Sequence, residues 1–120
     1  MANPNIVSVT EIIGEVAGAA VTTAGVTMIS AVATGHVAKV NAIYVSNIDG
    51  TNSEPVNVIV NDGAANDWNI ASTITVPADS TIDVLSKSVY LKEGWSLKLS
   101  ADATDGRLEA VVSWEDLTDL

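Results

Sequence analysis

The sequence predicts an all-β chain, a single antiparallel β-sandwich of jelly-roll type with eight to ten short strands. Three observations carry that expectation. First, apolar and polar residues alternate with a period of two, which places apolar side chains on one face of a strand and polar ones on the other. Trp95, Leu97, Leu99 and Ala101 alternate with Ser96, Lys98 and Ser100; Leu108, Ala110, Val112 and Trp114 alternate with Arg107, Glu109, Ser113 and Glu115. Second, clusters of turn formers separate these runs, at 77–80, 92–94 and 102–106. Third, the chain has no Phe and is dominated by Ala, Val, Ile and Thr, a palette that favours strands.

Taken in order, residues 1–7 read as an extended N-terminal arm and residues 8–120 as the single sandwich domain. Pro4 restricts itself and its neighbour to extended geometry. From Ile6 to Ile13 neither face of the alternation is clearly wet, so this strand is expected to be covered on both sides by a neighbouring subunit. Gly14 and Gly18 are expected to break it. Strands follow at 19–23 and 26–33, and then the longest candidate at 36–49, apolar on both faces around Val40, Ala42, Ile43, Tyr44 and Val45. The loop 49–55 leads to a half-buried strand through Val56, Val58 and Val60. A second loop, 62–67, leads to Trp68 and a strand through Ile70, Ser72, Ile74 and Val76. The runs beginning at Trp95 and Leu108, joined by a Gly-containing loop, read as a hairpin with Trp95 and Trp114 in the core. The acidic tail 115–120 is expected to fray.

Composition bounds function. At 120 residues the chain is one domain. A hydrophobic fraction of 48% argues against disorder. The net charge of −10, with only five scattered basic residues, disfavours nucleic acid and anionic membranes as partners. The stretch 16–35 has no charge over twenty residues, yet its Gly and Thr make it a poor membrane span. The absence of cysteine removes disulfides and thiolate metal sites.

No chemistry-bearing constellation emerges, so no catalytic, cofactor-binding or metal-ligating residue is assigned and the chain is read as a non-enzyme. A Ser-His-Asp arrangement would need the single histidine, His36, which is expected to be solvated or to cap a strand. The loops 62–67 and 102–105 carry oxygen ligands of a kind calcium uses, without the spacing of an EF-hand. No Gly-rich phosphate cradle occurs. Trp68 follows a polar loop and reads either as an anchor of its strand or as an interface anchor, since Trp is enriched at hot spots.

Several strings occur as a set: MANPNIVSVTEIIG, KVNAIYVSNIDGTN, and VPADSTIDVLSKSVYLKEGWSLKLSA followed by LEAVVSWEDL. Together they resemble a family of small virion structural proteins of tailed phages, notably marine and cyanobacterial ones. Trp114 stands where Tyr is expected. The resemblance implies a particle component made in the host cytoplasm. The fitting role is a capsid decoration, or cement, protein on the outside of the head, bound to the major capsid protein or another virion structural protein. The alternatives are a neck or tail component, and a receptor- or glycan-binding module built around Trp68. The arm residues Ala2, Asn3, Pro4, Asn5, Ile6 and Val7 are expected to make the partner contact by adding a strand to an exposed sheet edge. Copies are expected to associate through the doubly apolar strands as a homotrimer.

Overall fold

A computed structural model describes residues 8–118. It contains nine strands: β1 (Glu11–Val21), β2 (Val26–Ile29), β3 (His36–Asn47), β4 (Glu54–Asn61), β5 (Asp67–Val76), β6 (Thr81–Asp83), β7 (Val89–Leu91), β8 (Ser96–Ala101) and β9 (Leu108–Thr118). Sheet A has the order β1-β9-β3-β6, with β7 also on β3; sheet B has the order β2-β8-β4-β5. All pairings are antiparallel.

The pairing is nested. β1 pairs with β9, β2 with β8, β3 with β6 and β7, and β4 with β5. A two-stranded ribbon with its tip at the β4–β5 connection has therefore been wrapped around a core. The β9–β3 and β8–β4 pairings close each sheet across the turns of the wrap. This is the jelly-roll form of the β-sandwich expected from the sequence.

The core lies between the sheets. Leu97, Leu99 and Ala101 of β8 and Val56, Val58 and Val60 of β4 face Ile43 and Val45 of β3 and Leu108, Ala110 and Val112 of β9, all buried. The alternation read from the sequence is thus real, and Lys98, Ser100 and Asn57 lie outside the main core cluster. Burial of these branched side chains is the main favourable term, at about 25 cal/mol per Å² of apolar surface.

Five expectations need correction. β8 and β9 do not form a hairpin: the loop 102–107 carries the chain from sheet B to sheet A. Amphipathic alternation is blind to this choice, because an arch between sheets keeps the same inward face as a turn within one. Trp95 and Trp114 pack against the core but stay partly exposed. Gly14 and Gly18 do not break β1, which keeps one register with β9 over all eleven residues. The ladder supplies the order that two glycines in isolation would weaken. The strand expected over 19–23 is the end of β1, and the one expected over 26–33 stops at Ile29. The acidic tail is not frayed up to Thr118: it is the end of β9, held between β1 and β3.

Polar groups close the two ends of β3. At one end Asn47 is buried, donating to the carbonyls of Asn52 and Val76 at 2.9 Å each and accepting from the Asp49 N–H at 2.9 Å. Beside it the Glu54 carboxylate, only 1% exposed, accepts from the N–H groups of Ala103 at 2.7 Å and Thr104 at 3.0 Å. Arg107 reaches Glu54 at 3.4 Å and Asp49 at 3.3 Å. At the other end His36 meets Asp116.

Candidate assembly interface

A two-sheet sandwich has four edges, and each offers a row of peptide groups to any passing strand. Three are blunted here. β2 has four residues and a register shift against β8. The outer edge of β3 is covered only by β6 and β7, of three residues each. β5 is long, but its register against β4 shifts twice, and Thr73 sits at φ 50° with its N–H tied to Asn57 Oδ1 at 2.8 Å. Bulges and positive φ bend an edge away from a partner.

β1 has no register shift and no positive φ, and its two charges, Glu11 and Glu15, both lie on the odd-numbered row. It is eleven residues long, in unbroken register with β9, and carries no Pro or Lys. Among the described residues, no backbone hydrogen bond other than its ladder to β9 engages it. Its odd-numbered residues pair with Thr118, Asp116, Trp114, Val112, Ala110 and Leu108 on the core side. Its even-numbered residues Ile12, Gly14, Val16, Gly18 and Ala20 form the outer row. That row contains no polar side chain, yet Val16 is 69% and Ile12 58% exposed. On the adjoining strands Val111 and Tyr44, paired across β9 and β3, continue the apolar surface and are also exposed. An apolar, straight, solvent-facing edge of this length is of the kind that can template pairing with another strand.

The glycines of β1 point the same way. A Cβ built on Gly14 meets nothing within 4 Å, and one on Gly18 meets only ordinary contacts at 3.7 and 3.8 Å. Neither has a positive φ. The subunit's own packing does not require glycine at either position, and a strand glycine without a bulge or bend is one of the places where a ligand or another backbone can approach closely.

Trp68 lies at the start of β5, opposite Val60, and is 55% exposed. It is an exposed aromatic at the edge rather than a core anchor. In the loop before it, the Asp62 carboxyl is held below the usual aspartate range chiefly by the Asn66 amide. Asp62 also accepts from the Ala64 N–H at 3.0 Å and from Asn66 Nδ2 at 2.9 Å, so its oxygens close their own loop. In the other acidic loop, Asp105 accepts from the Thr23 N–H at 2.6 Å.

His36 is half-buried, not simply solvated: its Nδ1 lies 2.9 Å from Asp116 Oδ1. The pair lines a cleft of about 360 Å³ with Glu15, Met28 and Trp114. Ser30 lines it too, but among the described residues no hydrogen bond joins Ser30 to His36. No group of three or more His, Cys, Asp or Glu is placed to hold a metal ion among the described residues. Nor is any helix there long and apolar enough to cross a membrane. The expected contact residues Ala2, Asn3, Pro4, Asn5, Ile6 and Val7 lie outside the described residues.

The solved structures contain a likeness. The chain is similar to a protein of Bacillus endospore appendages, which form a family of disulfide-linked pili, with a TM-score of 0.52 and 13% identity, covering 91% of this chain and 88% of that one. At that identity the likeness shows the all-β fold alone. No family model and no curated protein matches the sequence.

The two-sided apolar pattern ending at Ile13 reaches the start of this exposed edge, and the sequence reading did not extend it to Val16. The signal was available in the charge-free run after Glu15, but a run of small residues looks the same in a buried strand as in an edge awaiting a partner.

Proposed function

We propose that this chain is a virion structural protein of a tailed phage, a capsid decoration protein laid on the outer surface of the head to stabilise it. One observation carries the reading: an acidic, cysteine-free sandwich leaves one long apolar strand edge unprotected while blunting the other three. Soluble monomers suppress such edges, whereas an assembly component uses them. The resemblance of the N-terminal, central and C-terminal strings to phage virion proteins supports the same reading and supplies the partner, the major capsid protein or a neighbouring virion protein. The chain acts by shape and adhesion and turns over no substrate. The protein of similar fold comes from endospore appendages that form disulfide-linked pili. Its disulfide linkage has no counterpart here, since this chain has no cysteine.

The direct test is the position of the protein in electron micrographs of the whole particle. Decoration predicts many copies spread over the head lattice, and a single ring at the neck or tail would replace it with the neck or tail reading. Deleting residues 2–7 tests the arm: truncated protein is expected to lose capsid binding, and unchanged saturation would end that part of the proposal. The half-exposed ring of Trp68, flanked by Asn66, Asp67 and Asn69, favours one second reading, a glycan- or receptor-binding module. Glycan binding abolished by Trp68→Ala would support it.

A further inference from the structure

We infer that β1 pairs antiparallel with β1 of a second copy about a two-fold axis at Val16, joining the two A sheets into one continuous sheet. The strand is self-complementary in size. Its large residues, Ile12 and Ile13, lie on one side of Val16, and its small ones, Ala17 to Ala20, on the other. A two-fold axis at Val16 sets Ile12 against Ala20, Ile13 against Ala19 and Gly14 against Gly18, with Val16 meeting its own copy. All eleven residues then find partners. Every pair on the outer row is apolar, and both glycines fall opposite each other, where the subunit's own packing gives no reason for them. The shallow depression lined by Gly18, Ala19, Ala20, Glu109, Ala110 and Val111 lies beside the position that Ile12 of the second copy takes.

Charge selects this register over its rivals. A shift by one residue would set outer-row residues against core-side ones and is forbidden by the pleat. An axis at Ile13 would put Glu11 opposite Glu15, and an axis at Glu15 would put that carboxylate opposite itself; like charges directly opposed are destabilising. Axes at Gly14 or Ala17 leave part of the strand unpaired. At Val16, Glu11 faces Val21 and Glu15 faces Ala17. The remaining cost is a diagonal approach of the two Glu15 side chains, at about 7–8 Å.

A contact confined to one strand edge falls short of the ~800 Å² per partner of a standard interface. The dimer is therefore weak in free solution and is reinforced where a scaffold holds copies close. The inference concerns self-association alone, so it can fail while the decoration reading stands, and the reverse.

The test uses the full chain, whose lack of cysteine makes engineered thiols unambiguous. Under mild oxidation Val16→Cys is expected to form a covalent dimer, while Ile12→Cys or Ala20→Cys alone is not. Mixing the Ile12→Cys and Ala20→Cys proteins is expected to yield the mixed dimer. Sedimentation should show a concentration-dependent monomer–dimer equilibrium, abolished by Val16→Lys with an unchanged melting curve at dilution and strengthened several-fold by Glu15→Gln. A trimer by mass, a monomer at every concentration, cross-linking no better at position 16 than at position 20, or pairing with a 2–7 arm lost on its deletion would each overturn the inference.

Discussion

β1 and β5 are the two long edge strands of the sandwich, and they are built to opposite specifications. β5 bends twice against β4 and holds Thr73 at a positive φ that a β-branched residue resists. β1 runs straight through two glycines that would have made bending easy. The difference is not one of strand propensity, since β5 is richer in Thr and β1 in Ala and Gly. It teaches that edge geometry follows what an edge must meet: water at β5 and, in the proposed assembly, another chain at β1. It also separates stability from assembly, since the residues that hold the subunit together and those proposed to join it to others barely overlap.

The largest effect expected is therefore in the core. Ile43→Ala and Leu97→Ala, each fully buried, should cost about 2–5 kcal/mol in urea denaturation through lost burial and the cavity left behind. Val16→Ala, measured at concentrations too low for association, should change stability by about 0.5 kcal/mol or less. A Val16 penalty rivalling that of Leu97 would mean that β1 is not a free surface. Trp95→Ala and Trp114→Ala should fall between these extremes, because both side chains are only partly buried.

Glu54→Gln should rank next. Its buried carboxylate satisfies two backbone N–H groups and Arg107, and the amide keeps the shape but loses the charge-assisted partner. The expected loss is about 1–3 kcal/mol, with no change in β1 self-association. An equal effect on both would couple the closed end of the sandwich to the edge and undo the separation.

How much of this could be read beforehand follows from what periodicity encodes. The inward faces of β4, β8 and β9 were legible at Val56–Val60, Leu97–Ala101 and Leu108–Val112, because burial imposes period two wherever one face is wet. The sheet to which each strand belongs was not legible: the loop 102–107 looks like a hairpin turn and is an arch. β1 was misread at Gly14 and Gly18, whose effect depends on β9, a strand about a hundred residues further along. The His36–Asp116 pair was hidden for the same reason, being made across eighty residues by the β3–β9 register. The blunting of β5 was invisible too, since nothing in Ser72-Thr73 announces a positive φ.

A smaller effect probes that blunting. Thr73→Gly should relieve the strain of φ 50° and raise stability by up to about 1 kcal/mol, read as a higher Tm. Asn57→Ala should do the reverse by freeing the Thr73 N–H, at about 1 kcal/mol. If Thr73→Gly destabilised the protein instead, the bulge would not be a strained device and the contrast with β1 would weaken.

The smallest effect is acid dependence, and it distinguishes the two edges residue by residue. Asp49 is held below the ordinary aspartate value of 3.8 chiefly by the N–H groups of Asn52 and Thr51, and Asp62 chiefly by the Asn66 amide. A depressed folded-state pKa means the unfolded chain takes up protons first as pH falls. The stability these groups contribute is thus fully present above pH 3.8 and is lost as pH drops through the lower folded-state values. Both carboxylates face solvent, so the loss is local rather than global. Asp62 closes the loop that leads into β5, and its protonation should loosen the start of that strand at Trp68. The ladder of β1 to β9 rests on peptide groups that do not titrate and should keep its protection. Amide hydrogen exchange followed below pH 4 would register this as faster exchange around 62–68 with 12–20 unchanged, and Asp62→Asn should flatten the pH dependence at the first segment alone. Simultaneous loss of protection at both edges would show that they open as one unit, and the division of labour between them would have to be abandoned.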